Sequence, residues 1–85
     1  MELVALRNEI DEIDRQLSAL FVRRMALSAQ IAAVKAAEGL PVFQPAREES
    51  VLAAVCANAP EALRGDLREL YRTIFALSRK RQEEA

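Results

Sequence analysis

Two cationic side chains occupy what is otherwise an apolar helical face. Apolar residues recur at three- and four-residue intervals from Leu3 to Val34, and Arg24 takes one of these positions; this spacing is typical of one face of an α-helix. Lys35 follows eleven residues later, which at ~100° per residue places the two cations within roughly 20° of each other. A guanidinium on a buried face requires an anion or a carbonyl partner. The pair therefore indicates an anion site, although each cation alone fits a structural role with its head in water.

Further polar residues occur where the wall of a pocket is expected. Ser78 and Gln82 are four residues apart near the C-terminus and therefore share one side of a helix. Arg47 and Glu48 follow a short segment that begins at Pro41, a place where side chains can close over a pocket. Taken alone, the first two fit an ordinary helix flank and the last two fit surface charges. Only their combination with the two cations indicates a site.

The composition restricts the chemistry of such a site. The chain has no His, two Gly and one Cys, so a His-based proton shuttle, a nucleophilic triad, a zinc site and a Gly-rich phosphate loop are not expected. We expect no cofactor and no metal ion. A reaction at this site would depend on the placement of charges rather than on proton transfer or covalent attack.

Charge and hydropathy do not predict a nucleic-acid or membrane partner. The 85 residues carry a net charge of -1, with 52% hydrophobic and 29% charged residues, as is typical of a folded globular domain. We interpret the run Arg79-Lys80-Arg81 as a solvated last helical turn, where cations interact favourably with the helix dipole. Cys56 is interpreted as a small core residue, which suits a reducing cytoplasm. We find no signal-peptide pattern and expect no long apolar run.

Helices must bring these residues together, and the sequence predicts three of them in a single domain over 1–85. A long helix over about 3–38 ends at Gly39, the residue type that most readily takes the left-handed conformation. A short helix begins at Pro45, and a medium helix spans roughly 61–83. The apolar stripe of this third helix is formed by Leu63, Leu67, Leu70, Ile74 and Leu77.

The length of the first helix predicts a dimer. About 36 residues at ~1.5 Å each give a helix of about 54 Å, whereas a compact domain of this size has a diameter of roughly 30 Å. The far end of the helix must therefore be buried on another chain. The two further amphipathic helices favour an intertwined helical homodimer over an isolated coiled coil.

Nearly the whole chain resembles the all-helical class of chorismate mutases. The residues that carry the resemblance are 6–14, Arg24, Lys35, the Pro41 loop leading to Arg47 and Glu48, and 74–82 with Ser78 and Gln82. In that family three helices per chain intertwine in a dimer, and the enzyme converts chorismate to prephenate on the way to phenylalanine and tyrosine. Chorismate is a dianion whose pericyclic rearrangement needs no acid, base or nucleophile. Oriented cations and hydrogen-bond donors are sufficient for such a reaction.

The resemblance implies four catalytic side chains. Arg24 would bind one substrate carboxylate, and Arg7 would reach the other from the partner chain, since Arg7 is rotated by about 100° from Arg24 around the helix. Lys35 and Gln82 would donate hydrogen bonds to the ether oxygen, where negative charge grows as the carbon-oxygen bond breaks. Lys35 would also lie near a carboxylate.

Four further substrate-binding residues follow from the same resemblance. Ser78 would assist a carboxylate, Glu48 would accept a hydrogen bond from the ring hydroxyl, and Arg47 would lie beside it. Gln44 stands where many family members have Asp, and it would bind through its backbone amide. The implied partners are chorismate and a second copy of the chain, and an enzyme of the same pathway could be a further partner.

Two other functions stay open. Isochorismate pyruvate-lyases are similar in fold and pocket, so an assay with both substrates is needed to separate them. A non-catalytic helical dimerisation or regulatory module is the second alternative. Such a module would be expected to replace inward charges with apolar residues, which this chain has not done.

Overall fold

The computed structural model of the protein describes residues 2–84, which form three α-helices and no β-strand. They are α1 (Leu3–Glu38), α2 (Pro45–Ala57) and α3 (Glu61–Glu84). The predicted all-α class of one long, one short and one medium helix is therefore confirmed. Only α3 differs in its bounds, since it runs one residue beyond its predicted end.

Local sequence sets the end of α1 and the start of α2. Gly39 takes the left-handed conformation, with φ 69° and ψ 26°, which a residue without a Cβ adopts readily. Its amide donates to the carbonyl of Ala36, and the amide of Leu40 donates to the carbonyl of Lys35, so a Schellman motif satisfies the last carbonyls of α1. Pro45 is at the first turn of α2, where its missing N–H is not needed. The chain thus turns back at Gly39, about one helical turn after Lys35.

The helix α3 connects the other two. It packs against both α1 and α2, which do not pack directly on each other within residues 2–84. The buried apolar residues are Ala32, Leu52, Cys56 and Phe75. Cys56 is a free thiol in this small core, as predicted.

Much of the apolar surface of the single chain is exposed. In the N-terminal part of α1, the exposed fraction is between 40% and 60% for Leu6, Ile10, Ile13, Leu17 and Leu20. On α3, three members of the predicted apolar stripe are exposed in the single chain, namely Leu63, Leu70 and Leu77. The reason is that α3 turns a neighbouring face, with Phe75 and Ser78, toward α1 and α2.

The overall shape agrees with this exposure. The chain measures 55 × 25 × 15 Å and has a radius of gyration of 15.9 Å, whereas a compact domain of this length has a radius of about 12 Å. An apolar surface of this extent on a small chain is typical of a face covered by another chain.

The apolar character of α1 corrects one expectation. By length and composition α1 could cross a membrane, because it contains an 18-residue window with a mean hydropathy of 1.3. Any window of α1 with at most two charges includes Arg23 and Arg24, and an arginine near the middle of a span costs about 2.5–3.5 kcal/mol. The largest apolar residues follow a stripe rather than the whole circumference. We therefore interpret α1 as a packing helix.

Candidate active site

A cavity of about 470 Å³ lies between the C-terminal half of α1, the connection 39–44, the start of α2 and the end of α3. Seven of the eight predicted site residues line it: Arg24, Lys35, Gln44, Arg47, Glu48, Ser78 and Gln82. Ser28 and Arg79 also contribute polar groups. Apolar side chains such as Ile31 and Val51 complete the wall.

Arg24 projects from α1 onto the aromatic side chains of α3. Its guanidinium carbon lies 5.7 Å from the ring centroid of Phe75 and 6.0 Å from that of Tyr71, and the two rings meet edge to face at 5.8 Å. Arg24 is half-buried and forms no salt bridge within residues 2–84. Because ring faces orient the guanidinium without using its N–H groups, these donors are available to an anion.

Lys35 and Gln82 form a hydrogen-bonded pair across α1 and α3. The Nζ of Lys35 donates to the carbonyl oxygen of Val42 at 2.7 Å and to Oε1 of Gln82 at 2.8 Å. An ammonium has three donors and no acceptor, so it must face the oxygen of the amide, and the Gln82 NH₂ group is turned away from it. Both residues keep unused N–H groups at the cavity, which makes them a paired source of hydrogen bonds.

Two buried hydroxyl groups extend this network. The Oγ atoms of Ser28 and Ser78 are 2.5 Å apart, and both residues are buried. Nε2 of Gln82 lies 3.5 Å from Ser78 Oγ. Sequence reasoning did not identify Ser28, yet it lies one helical turn after Arg24, and this spacing was the available signal.

Charged groups form the opposite wall, at the start of α2. Glu48 and Arg79 make an ion pair between α2 and α3, and the Arg79 guanidinium carbon lies 5.0 Å from the ring centroid of Phe43. The interpretation of Arg79 as part of a solvated last turn is therefore wrong. Phe75, Ser78, Arg79 and Gln82 share one helical face by their spacing, whereas Arg81 points elsewhere and is exposed.

Arg7 is the predicted residue that lies outside the cavity of its own chain. It is exposed near the start of α1, and seventeen residues at ~1.5 Å each separate it from Arg24 by about 25 Å along the helix axis. One chain therefore does not bring Arg7 to the other site residues.

The electrostatics of the cavity favour an anionic ligand. Arg24, Lys35, Arg47 and Arg79 face a single carboxylate, Glu48, among the described lining residues. No group of three or more Asp, Glu, Cys or His side chains within residues 2–84 could hold a metal ion. The arrangement can bind carboxylates and stabilise negative charge that develops on an oxygen near Lys35 and Gln82.

Comparison with known proteins points to one family. The family model for chorismate mutase type II matches residues 6–83. The structure of chorismate mutase (form II) from Thermus thermophilus superposes with a TM-score of 0.89 at 33% identity, covering 95% of this chain and 93% of that chain. Form I from the same organism gives a TM-score of 0.83 at 34% identity, with coverages of 89% and 96%.

Two curated relatives are much longer than the matching region. The T-protein of Enterobacter agglomerans is 46% identical over 52 residues, which are 61% of this chain and 14% of the relative. The T-protein of Haemophilus influenzae is 44% identical over 57 residues, which are 67% of this chain and 15% of the relative. The match thus spans about one seventh of the length of these relatives.

Proposed function

The chain belongs to the chorismate mutase type II family, and on this basis we propose that it catalyses the rearrangement of chorismate to prephenate. The observation that carries the proposal is the Lys35–Gln82 pair, hydrogen-bonded at 2.8 Å in a cavity that Arg24 also lines. We propose further that residues 1–85 act as one domain in the biosynthesis of phenylalanine and tyrosine. The cytoplasm is the compartment that this activity suggests.

The proposed mechanism depends on preorganised charge. Arg24, oriented by Phe75 and Tyr71, binds one carboxylate of the substrate and helps to select its compact conformation. Lys35 and the amide of Gln82 donate hydrogen bonds to the ether oxygen as the carbon-oxygen bond breaks. Because these donors are held by neighbouring groups before the substrate arrives, little reorganisation accompanies the reaction.

The remaining polar groups orient the ring. Ser78 donates to a carboxylate, and Glu48 accepts a hydrogen bond from the ring hydroxyl. Arg47 lies beside Glu48 on the first turn of α2, and Gln44 contributes its backbone amide where that turn begins. Since Glu48 accepts and the other groups donate, the site distinguishes the hydroxyl side of the ring from its carboxylates.

A second copy of the chain completes the proposed site. The exposed stripe of α1 offers a surface for that copy, and an antiparallel arrangement of two long helices would bring the start of one α1 to the cavity of the other. Arg7 of that copy then binds the second carboxylate. We propose an enzyme of the same pathway as a further partner.

The test is a direct assay with two substrates. Chorismate and isochorismate are supplied separately to the purified chain, their disappearance is followed by ultraviolet absorbance, and the products are identified by NMR. We expect prephenate from chorismate, with loss of turnover in Lys35→Ala. Release of pyruvate from isochorismate without turnover of chorismate would assign the lyase activity instead. Turnover of neither substrate would favour the non-catalytic module.

A further inference from the structure

Arg79 is a cation of the cavity that has no role in the proposed reaction. Its side chain projects from α3, is 31% exposed, and forms an ion pair with Glu48, whose side chain is 23% exposed. Its guanidinium carbon also lies 5.0 Å from the ring centroid of Phe43 in the connection between α1 and α2. One side chain thus links three separate segments at the edge of the cavity.

The ion pair determines the net charge that an anionic ligand meets. Glu48 contributes a carboxylate to the wall of a cavity proposed to take a dianion, and two like charges at short range repel. Arg79 neutralises that charge through Oε2 of Glu48. The other oxygen, Oε1, keeps its lone pairs and can still accept a hydrogen bond from a hydroxyl group.

The contact with Phe43 adds a geometric effect. Phe43 follows Val42, whose carbonyl oxygen accepts a hydrogen bond from Lys35 at 2.7 Å. The cation–π contact of the Arg79 guanidinium with the Phe43 ring therefore keeps this connection against α3, close to the place where Lys35 is held. A lysine at position 79 would keep the charge but lack the planar guanidinium.

We propose that Arg79 is a positioning residue, which holds Glu48 as a neutralised hydrogen-bond acceptor and fixes the connection 39–44 beside the cavity. It acts through Glu48 and Phe43 rather than by touching the substrate. This inference rests on the proposed function, because the dianionic substrate is the source of the repulsion. A partly exposed ion pair contributes little to folding, so its removal should affect ligand binding more than the melting temperature.

The test is a double-mutant cycle with Arg79→Met, Glu48→Gln and the double variant, measured as KM and kcat for chorismate. Arg79→Met should raise KM by about tenfold or more, with kcat within about threefold, because an uncompensated carboxylate then faces the substrate. Adding Glu48→Gln should lower KM again relative to Arg79→Met alone, since the repelling charge is gone. Arg79→Lys should give an intermediate KM.

Arg81→Met is the matched control. It removes the same charge from the same helix, but Arg81 is exposed and lines a separate cavity beside Phe21 and Met25, so its KM should stay within about twofold of the wild type. If circular dichroism shows that Arg79→Met is unfolded, Arg79→Gln replaces it in the cycle.

An unchanged KM in Arg79→Met would overturn the inference, and so would a double variant no better than Arg79→Met. If the wild type converts chorismate, neither of these results affects the proposed function. A wild type that does not convert chorismate would instead remove the proposed function, and this inference with it.

Discussion

The two halves of α1 share one helical repeat but differ in what covers them. Every residue from Glu2 to Arg23 is exposed in the single chain, whereas Arg24, Ser28 and Lys35 are half-buried or buried. In the first half the large apolar residues of the stripe have no neighbours from α2 or α3 that bury them. In the second half the same face carries Arg24, Ser28 and Lys35, and it forms one wall of the cavity.

This difference indicates which part of the apolar stripe of α1 is expected to bind a ligand. An uninterrupted apolar stripe gains about 25 cal/mol for each Å² removed from water, which supports the proposed contact with another chain. A charged side chain on the same stripe loses hydration energy when it is buried. Contacts with aromatic rings, carbonyl groups or a ligand compensate for this loss. The position at which Arg24 interrupts the stripe therefore separates the proposed assembly surface from the cavity.

The largest expected effect comes from placing charge in the first half. Ile13→Glu with Leu17→Glu should prevent assembly and abolish activity, because two carboxylates would be buried in the interface between chains. Light scattering across a dilution series is the measurement, and the wild type should pass from dimer directly to unfolded chain. Asn8→Glu, on the opposite side of the helix, is the control and should leave assembly unchanged. A stable, fully helical monomer of the wild type would refute the intertwined dimer.

The next test makes the second half resemble the first. Arg24→Leu restores the apolar stripe, so the melting temperature should stay the same or rise, while kcat/KM for chorismate should fall by about a hundredfold or more. Thermal unfolding and steady-state kinetics on the same preparation separate the two effects. A variant that keeps activity within about tenfold of the wild type would assign Arg24 to the structure alone.

The third test asks whether the two halves meet in trans. Arg7→Ala and Lys35→Ala should each be nearly inactive, yet a refolded equimolar mixture should regain about a quarter of wild-type activity. Random pairing makes half of the dimers mixed, and each mixed dimer then has one intact site. Activity of the mixture is compared with that of each variant refolded alone. No recovery would place both residues at the site of one chain.

Sequence predicted the fold well because its signals are local. Gly39 and Pro45 fix the turn after α1 through their own backbone properties. The end of α1 and the start of α2 follow from these two residues. The apolar stripe of α3 shows the limit of such local signals. Periodicity identifies an apolar face but not which neighbour covers it, and Leu70 and Leu77 are exposed in the single chain.

The site was predictable where a residue broke a pattern. Arg24 and Lys35 interrupt or border an apolar face, and both line the cavity. The sequence did not identify Arg79 as a cavity residue, because it belongs to a run of three cations. Residue type alone does not distinguish it from its solvated neighbours. Its partners Glu48 and Phe43 are 31 and 36 positions away, and only the tertiary structure brings them together.

A smaller effect is expected on the opposite side of the cavity from α1, where Gln82 of α3 can be given a charge. In Gln82→Glu the introduced carboxylate lies beside Lys35, pairs with it at pH 7, and repels charge growing on the ether oxygen. We expect kcat/KM to fall by at least about tenfold at pH 7 and to recover in part toward pH 4.5, where more of the carboxyl group is protonated and can donate. Profiles from pH 4.5 to 8.5 are compared with those of the wild type and of Gln30→Glu, an exposed position on α1. Parallel profiles for Gln82→Glu and the wild type would show that Gln82 does not face the ether oxygen.

The smallest expected effect concerns Ser28, which belongs to the second half but is shielded from solvent. With its Oγ 2.5 Å from that of Ser78, Ser28 can donate to Ser78 and leave the Ser78 hydroxyl free to donate into the cavity. Ser28→Ala should therefore lower kcat/KM by about three- to tenfold, the equivalent of a hydrogen bond of about 1 kcal/mol. In a Ser78→Ala background the same substitution should have almost no further effect, because the group that Ser28 orients is absent. An equal loss in both backgrounds would mean that Ser28 acts on the substrate directly. The second half of α1 would then contribute three substrate-binding side chains, Arg24, Ser28 and Lys35, rather than two.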